Sequence, residues 1–424
     1  MRVLVVGSGA REHALVVRLV AELGDAAVTA APGNPGIAGL VQVHPADVGA
    51  PDSLLSAARA IGADLTIIGP EVPLSLGVAD LFADAGLLLF GPSAAAARLE
   101  SSKAFAKAFM ARHRVPTARF LTCDSADEAR RAVRNGGFGL PVVLKADGLA
   151  AGKGVVIAET LAEADAAIEA AMTDRRFGAA GHTLVIEECL TGPEVSFFVI
   201  SDGTRAVPIG TAQDHKRIFD DDRGPNTGGM GAFSPSPLMS DALHAQVMQE
   251  IVEPVIAGMA AEGHPFRGFL YVGLMLTPGG PKVIEFNVRL GDPEAQVLLP
   301  RIASPLLPLL VAAARGSLDD QACRLNDDRL VGVVLASRGY PDTSSSGQVI
   351  GGIARAAERG VTVCHAGTAV RDGALVTAGG RVLTVVAAGP SFEAAIARAY
   401  AGVAEIRFDG MQFRHDIGRK ALAR

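Results

Sequence analysis

The sequence lacks several features that would assign it to a common class of protein. Its 424 residues contain no tryptophan, four cysteines and nine histidines, and the formal charge at pH 7 is −6. The scattered cysteines form no C-x-x-C pair, which favours reduced thiols over a disulfide framework. The histidines are equally dispersed, so we expect no zinc site. Without a net positive charge, the chain also lacks the electrostatic signature of a nucleic-acid-binding protein.

Long apolar runs are missing as well. The run within residues 1–9 is too short for a signal peptide, and residues 305–314 are about half as long as a membrane span. We therefore expect a cytoplasmic protein without membrane contact. With 49% apolar residues, the chain is long enough to form three domains with buried cores.

Strand and helix patterns alternate through the first 90 residues, and three of the strands end in glycine-containing turns. This pattern is typical of a parallel, doubly wound sheet. Shorter strands around a helix at 162–172 then predict a small α+β module at about 119–188. The fold class is therefore α/β and α+β, and the predicted domains are an N-terminal parallel α/β domain at 1–101, a central domain at 102–325 and a C-terminal mixed α/β domain at 326–424.

The rest of the chain gives coarser predictions. A helix is expected at 240–262, with strands at 269–276 and 282–288. The stretch at 220–237 is rich in Gly, Pro, Asn and Asp, which predicts a loop. The last hundred residues predict strands with one helix, at 392–405.

The turn after the first strand, GSGAREH at 7–13, partly matches the dinucleotide-binding fingerprint. Its third glycine position is Glu12, and the second strand ends in PGN at 32–34 instead of an acidic residue for a ribose. A nicotinamide cofactor is therefore poorly supported. The helix after Gly9 can bind a phosphate through free N–H groups. A plain strand-to-helix turn is the alternative.

A second glycine-rich segment, KADGLAAGKG at 145–154, follows an apolar strand. Its glycines allow backbone N–H groups to approach a polyphosphate, and Lys145 and Lys153 supply positive charge. It is not a Walker A loop, because no Ser or Thr follows Lys153 and the next element is a strand. A flexible hairpin tip is the alternative.

Two further segments carry polar groups in less specific patterns. EECL at 187–190 ends an apolar strand, where its backbone can pair with an adenine edge and Glu194 can accept hydrogen bonds from a ribose, or where its carboxylates are simply solvated. The charged stretch at 213–235 is either a surface loop or a substrate loop. The unbroken run from Asp214 to Arg217 favours the second.

The strand VIEFNVRLGDPE at 283–294 is the most specific signal. Alternate side chains of a strand share a face, so Glu285, Asn287 and Arg289 point one way and the apolar residues at the even positions 284–288 point the other. Carboxylate and amide oxygens suit Mg²⁺ that is also bound by phosphates, and a guanidinium suits a transferring phosphoryl group. A half-exposed amphipathic strand explains the alternation but not these residue types.

These features, in this order, resemble the ATP-grasp ligases, in which two α+β modules close on ATP. The segments GSGAREHAL, APGNPG, GPEVPL, KADGLAAGKGV, QDHKR, GPNTGGMGA, EFNVRLGDPE and ASRGYP resemble in particular the phosphoribosylamine–glycine ligase family, from residue 1 to beyond 380. That family commonly has Cys and Phe where this chain has Val288 and Leu290. Since Val288 faces away from the metal, we expect no change of function.

The resemblance implies an ATP-dependent carbon–nitrogen ligase of purine biosynthesis. ATP would phosphorylate the carboxylate of glycine, and the amine of 5-phosphoribosylamine would displace the phosphate to give glycinamide ribonucleotide. The implied cofactors are ATP and Mg²⁺ or Mn²⁺. We expect a monomer, or else a dimer, without the synthetase and transformylase modules that are fused to some family members.

The resemblance also implies roles for individual residues. Lys145 and Arg289 are the expected catalytic residues, and Glu285 and Asn287 the metal ligands. The expected ATP-binding residues are Lys103, Lys145, Asp147, Gly148, Gly152, Lys153, Gly154, Glu187, Glu188, Leu190 and Glu194. The expected substrate-binding residues are Gly9, Arg11, Glu12, Gly33, Asn34, Asp214, Lys216, Asn226, Arg289 and Asp292.

Three other functions remain open on the residues alone. Another ATP-grasp enzyme of the purine pathway would use bicarbonate or formate in place of glycine. A nucleotide sensor without turnover would share the binding residues but would not need the complete Lys, loop and Glu–Asn–Arg set. A dehydrogenase would need the acidic ribose-binding residue that is missing here.

Overall fold

A computed structural model describes residues 1–149, 154–176, 178–319 and 321–422. The N-terminal region contains strands β1 (Val3–Gly7), β2 (Val28–Pro32), β3 (Gln42–Val43), β4 (Leu65–Ile68) and β5 (Leu89–Phe90), and helices α1 (Ala10–Leu23), α2 (Pro35–Ala38), α3 (Pro51–Ile61), α4 (Glu71–Ser75) and α5 (Val78–Asp84). The strands pair in parallel in the order β3-β2-β1-β4-β5. Val3 and Val5 of β1 belong to a core that includes α1, while Leu4 and Val6 belong to a second core with α3. The predicted doubly wound parallel sheet is thus confirmed.

Helices α6 (Ala94–Ser101) and α7 (Lys103–Arg112) lead into a small module, which we call the lid. It contains β6 (Phe120–Cys123), α8 (Ala126–Asn135), β7 (Val142–Ala146), β8 (Val155–Ala158), α9 (Leu161–Ile168) and β9 (Leu184–Glu188). The lid strands form an antiparallel sheet in the order β6-β9-β7-β8. One face, with Val142 and Leu144, packs on α8 and α9. The opposite face, with Val143 and Lys145, faces the rest of the molecule.

The remaining elements form a large antiparallel sheet and the helices around it. They are β10 (Glu194–Asp202), β11 (Ala206–Asp214), β12 (Arg217–Phe219), β13 (Arg223–Asn226), β14 (Gly231–Ser234), α10 (Asp241–Val247), α11 (Glu253–Ala261), β15 (Arg267–Thr277), β16 (Gly280–Asn287), α12 (Glu294–Leu298), α13 (Leu306–Arg315), β17 (Arg329–Ala336), α14 (Ile353–Glu358), β18 (Thr362–His365), β19 (Thr368–Arg371), β20 (Ala374–Thr377), β21 (Arg381–Gly389) and α15 (Phe392–Val403). The strand order is β16-β15-β10-β11-β14-β17-β21-β18. Strands from the C-terminal hundred residues therefore continue the central sheet.

The structure differs from the sequence prediction in the stretch expected to be a loop, 220–237. It contains β13 and β14, and β14 joins the central strands to the C-terminal ones by pairing with β11 and β17. All four residues of β14 are buried, so no alternation of polar and apolar residues marks it. Helix α14 was also missed. Within the described residues, every helix is too short or too polar to cross a bilayer.

Candidate active site

Strand β16 presents its polar residues to a cleft beneath the lid, but not by the simple alternation expected. Its pairing with β15 shifts between Gly273 and Leu274, so Ile284 is an extra residue in the ladder. Val283 and Phe286 are buried in the same core, and Ile284 is only partly buried. The prediction that Ile284 shares a face with Phe286 by simple alternation was wrong, because the bulge at Ile284 restarts the alternation. Val288 is buried as expected.

The carboxylate of Glu285 and the amide of Asn287 stand without protein partners in the part of the chain that the structure describes. Among the described residues, neither side chain makes a hydrogen bond and Glu285 has no cation within 4.0 Å, although cations surround it at longer range. Burial raises the pKa of Glu285, but Lys216, Lys145 and Lys103 more than offset that effect and hold the pKa below its usual range. An ionised carboxylate beside a free amide oxygen fits a hard divalent cation that takes its other ligands from phosphates and water.

The lid brings Lys145 to this strand. Its Nζ donates to the carbonyl oxygen of Ile284 at 3.1 Å and lies 3.0 Å from Oε1 of Glu187. The bulge in β16 is what turns the Ile284 carbonyl toward the lid. The ammonium of Lys145 and the carboxylate of Glu285 therefore belong to one site.

Glu187 is buried between two lysines instead of being open to a nucleotide. Its Oε2 lies 2.9 Å from Nζ of Lys107, which also donates to Thr117 Oγ1 at 2.8 Å. Burial lowers the pKa of Lys107 to about 8 in spite of Glu187. Both oxygens of Glu187 thus face lysines, although Oε1 makes no hydrogen bond within the described residues. The pairing with Lys145 indicates that Glu187 helps to position that lysine.

The glycine-rich turn after β7 is tied to the start of α7. Asp147 accepts hydrogen bonds from the backbone N–H of Ala104 at 3.0 Å and from the hydroxyl of Ser102 at 3.2 Å. Lys103 donates to the carbonyl of Gly148 at 2.8 Å. Burial lowers the pKa of Lys103, with Glu285 acting in the opposite direction.

The other predicted residues of this turn are only partly described. The carbonyl of Gly154 accepts a hydrogen bond from the N–H of Ala146 at 2.8 Å, which closes the base of the turn. Gly152 and Lys153 lie outside the described residues. The predicted contacts of those two residues with ATP stay predictions.

The open face of the lid sheet provides an apolar wall beside Lys145. Val143 pairs with Ile157 and Lys145 with Val155, so these side chains share one face. Ile157 is 43% exposed. A half-exposed apolar wall beside a cation suits a flat base attached to a polyanion.

The residues around the end of β9 differ in how their backbone N–H groups are used. The N–H of Glu188 donates to the carbonyl of Arg119 at 3.0 Å, and its carboxylate bonds to Arg119 and Lys282. The N–H of Leu190, in contrast, donates to no described residue. Of the predicted adenine contacts, the donor at Leu190 is the one that the local hydrogen bonding leaves available.

Arg289 is held by two carboxylates from the N-terminal part of the chain. Its Nε lies 3.2 Å from Oε2 of Glu71, and its Nη2 lies 2.8 Å from Oε1 of Glu100. Although burial lowers the pKa of Arg289, these carboxylates raise it above its usual value. Glu100 also accepts the N–H of Val288 at 2.7 Å, so Glu100 fixes the end of β16 as well. Three of the five N–H groups of Arg289 are used, counting its bond to Leu290, and two remain for a ligand.

Asp214 and Lys216 lie on the other side of Glu285. Lys216 Nζ pairs with Oε2 of Glu194 at 2.5 Å. Burial lowers the pKa of Lys216, but Asp214 and Glu194 raise it well above its usual value. Glu194, predicted to bind ribose, is therefore engaged with Lys216 in this structure.

A buried carboxyl group completes this side of the site. Ser196 Oγ lies 3.2 Å from both Glu294 Oε1 and the Tyr271 hydroxyl. Burial, reinforced by Asp214, raises the pKa of Glu294 to about 7. At neutral pH this carboxyl is thus close to its titration midpoint.

The N-terminal turn, GSGAREH, is filled by its own glutamate. Oε2 of Glu12 accepts the N–H of Gly9 at 2.6 Å, and Oε1 pairs with Nε of Arg11 at 2.5 Å. A Cβ atom on Gly69 would lie 2.2 Å from Glu12 Oε1, so that glycine makes room for the carboxylate. The N–H of Gly9 is thus used inside the turn, and the predicted binding of a phosphate by the helix N–H groups after Gly9 stays a prediction. Arg11 reaches across to the carbonyl of Leu290 at 3.1 Å.

The second N-terminal motif, PGN, contacts the C-terminal part of the chain. Asn34 accepts from the N–H of Ile37 and donates to the carbonyls of Ser8 and His365, both at 2.8 Å. Gly33 adopts a left-handed conformation (φ 70°). These contacts bring Gly33, Asn34 and Arg11 to one side of the cleft and leave Asn226 on the exposed hairpin of β12 and β13.

Several residues that shape the site were not predicted from the sequence. They are Glu71, Glu100, Lys107, Val143, Ile157 and Arg381, which pairs with Asp292 at 3.2 Å. The alternation in β7 could have identified Val143, and the strand end GPE could have identified Glu71. The others contact the site only through distant pairings, so no local signal marks them.

Comparison with known proteins gives one consistent result. Residues 1–100, 101–295 and 330–420 match the N, ATP-grasp (A) and C domains of phosphoribosylglycinamide synthetase. Phosphoribosylamine–glycine ligase from Ralstonia nicotianae is 49% identical over all of both chains, and that from Xylella fastidiosa (strain Temecula1) is 50% identical over 100% of this chain and 99% of its own.

Solved structures agree with these matches. Phosphoribosylamine–glycine ligase from Thermotoga maritima superposes with a TM-score of 0.87 at 33% identity, covering 98% of this chain and 100% of its own. Biotin carboxylase from Campylobacter jejuni, at 17% identity and a TM-score of 0.74 over 97% of this chain and 93% of its own, shares the fold. The architecture is therefore the predicted ATP-grasp fold, whose enzymes use ATP with a divalent metal ion. The chain belongs to the phosphoribosylglycinamide synthetase family.

Proposed function

We propose that the chain ligates glycine to 5-phosphoribosylamine at the expense of ATP, giving glycinamide ribonucleotide, ADP and phosphate through a glycyl phosphate. Full-length similarity to phosphoribosylamine–glycine ligases supports this reaction in purine biosynthesis. The observation in the structure that carries the proposal is the contact of Lys145 with the backbone beside Glu285. A phosphate-binding cation on the lid and a metal-binding carboxylate on the central sheet thereby face one cleft.

The chemistry requires neutralisation of charge more than a protein nucleophile. A glycine carboxylate must attack a triphosphate, and two anions approach only where cations offset their repulsion. Lys145 and Lys103 are proposed to hold the ATP phosphates, and Arg289 to face the transferring phosphoryl group with its remaining N–H groups. Glu285 and Asn287 would hold Mg²⁺ or Mn²⁺, which would neutralise part of the negative charge of the nucleotide when bound.

The nucleotide is proposed to lie along the open face of the lid sheet. Val143 and Ile157 would cover the base, and the free N–H of Leu190 would pair with its edge. Asp147 and Glu187 would act indirectly, since their carboxylates hold α7 and Lys145. Gly148, Gly152, Lys153 and Gly154 are proposed as the cover over the phosphates, which would keep water from the acyl phosphate.

The substrates are proposed to occupy the side of the cleft that faces the N-terminal sheet. Arg11, Gly33 and Asn34 would hold the sugar phosphate, and Asp214, Lys216 and Asp292 would surround glycine and the reacting amine.

A substrate-dependence assay tests the proposal. Purified protein would be incubated with MgATP and freshly made phosphoribosylamine, and with glycine, bicarbonate or formate, while ADP and ligated product are quantified. We expect a product with the mass of glycinamide ribonucleotide only in the reaction that contains glycine. Turnover only with bicarbonate or formate would show that the chain catalyses another reaction of the pathway. ATP binding without glycine-dependent ADP formation would indicate a nucleotide sensor.

A further inference from the structure

An arginine from the C-terminal part of the chain reaches the candidate substrate cleft. Arg381, the first residue of β21, donates through Nη1 to the carbonyl oxygens of Gly228 and Asp292, both at 2.6 Å. Its Nη2 lies 3.2 Å from Oδ2 of Asp292. One guanidinium thus connects two loops that lie 64 residues apart in the sequence.

Asp292 lies where the N-terminal and central parts of the molecule meet. A Cβ atom on Gly9 would come within 3.7 Å of its Oδ2, and its Oδ1 accepts from Gln296 at 2.8 Å. Burial raises the pKa of Asp292, but Arg381 and Arg11 hold it below its usual value. The carboxylate is therefore ionised, and Arg381 fixes its orientation.

The second loop is fastened equally closely. The N–H of Gly228 donates to the hydroxyl of Tyr340 at 2.9 Å, and a Cβ atom on Gly229 would lie 2.5 Å from Pro293. Gly228 is therefore held between Tyr340 and Arg381 on one side and the Asp292–Pro293 turn on the other. A cleft of about 410 Å³ borders this contact and includes Asn226, Thr227 and Arg381 in its wall.

We propose that Arg381 is a positioning residue for the ligation step, which fixes Asp292 and the Gly228 loop so that the amine of phosphoribosylamine meets the glycyl phosphate before water does. The proposal rests on the proposed function. It assigns the C-terminal part of the chain a role in coupling ATP consumption to amide formation. The contacts of Arg381 among the described residues are with the Gly228 loop and Asp292, so we expect its effect mainly on the acceptor side.

The physical consequence of losing Arg381 follows from the contacts. Two carbonyl groups and a partly buried carboxylate would lose their common donor, and an unpaired buried anion turns toward water or another cation. The wall beside the acceptor would then shift while the phosphate-binding side stays in place. Misplacement of an acceptor by about 1 Å is enough to slow a bimolecular step about 100-fold.

The test compares Arg381→Gln and Arg381→Lys with the wild type. We expect Arg381→Gln to raise KM for phosphoribosylamine at least tenfold and to lower amide formed per ADP, while KM for ATP changes less than twofold. Lysine keeps the charge but cannot bridge three acceptors in one plane, so an intermediate effect is expected. Arg359→Gln, which removes an exposed ion pair with Glu405 elsewhere in the C-terminal part, is the matched control.

The possible outcomes separate the proposal from its alternatives. Unchanged coupling and unchanged KM values in Arg381→Gln would overturn it. A lower Tm together with a lower kcat, but with unchanged KM values and unchanged amide formed per ADP, would show a merely structural role and would also overturn it. Absence of amide formation by the wild type would instead refute the proposed function, so the two failures are distinguishable.

Discussion

The two glycine-rich turns of the molecule follow buried strands but differ in where their carboxylate lies. In the turn after β1, Glu12 folds back and accepts the N–H of Gly9. In the turn after β7, Asp147 points away to the start of α7, and the N–H groups of Gly148 and Leu149 donate to no described residue. A glycine pattern alone therefore does not mark an anion site. The position of the neighbouring carboxylate sets whether the glycine N–H is used within the turn, as at Gly9 in what we call the closed turn, or is left unused, as at Gly148 in the open turn.

Glu285→Ala is the sharpest test of the site that the open turn after β7 faces. Glu285 makes no ion pair within the described residues, so its loss should leave stability nearly unchanged. Loss of a metal ligand should lower kcat about 1,000-fold, which corresponds to about 4 kcal/mol of transition-state stabilisation. Steady-state kinetics and thermal unfolding measure the two effects, with the exposed Glu250→Ala as the control. More than a tenth of wild-type turnover would contradict the metal assignment.

In the closed turn after β1, we expect a substitution to lower stability. Glu12→Ala removes the partner of the Gly9 N–H and leaves Arg11 without its buried carboxylate. Loss of a cap and of one partner of a buried ion pair predicts a fall of about 3 kcal/mol in the free energy of unfolding, measured by urea denaturation. If stability stays within about 1 kcal/mol while KM for phosphoribosylamine rises, Glu12 binds substrate instead of closing the turn.

A smaller change probes the space that the closed turn needs. A Cβ atom on Gly69 would overlap Glu12, so Gly69→Ala should cost about 2 kcal/mol by overpacking. In the Glu12→Ala background the same substitution should cost much less, because the overlapping carboxylate is gone. Additive effects in this double-mutant cycle would show that Gly69 is needed for another reason.

Patterns of neighbouring residues predicted the strands and turns whose formation depends on nearby sequence. The strand ends at Lys145 and Glu285 were visible because apolar alternation and turn residues mark them. Strand β14 was missed because it is buried on both faces, and the Ile284 bulge because its cause is the register with β15.

The site itself was predictable only for the residues that share a motif. Lys145 and Glu285 come together because Lys145 donates to the carbonyl of Ile284 in β16, which no spacing in the sequence indicates. The same holds for Arg381, which lies 89 residues after its partner Asp292. Resemblance to a family indicated that Lys145 and Glu285 share a site but gave no role to Arg381, whereas physical patterns supplied the chemistry of each strand.

Acidification should destabilise the fold through a histidine next to the closed turn. His13, just beyond Glu12, accepts the N–H of His365 through Nδ1, and burial lowers its pKa to about 3. The unfolded chain binds a proton at His13 below about pH 6.5, whereas the folded chain does not, so stability falls as pH drops from about 6.5 toward 3. At pH 5 this one group should cost about 2 kcal/mol relative to pH 7. His13→Gln keeps an acceptor for His365 and should lose that part of the acid sensitivity, measured by urea unfolding at pH 5 and 7. An equal loss in variant and wild type would place the acid-sensitive group elsewhere, away from the closed turn.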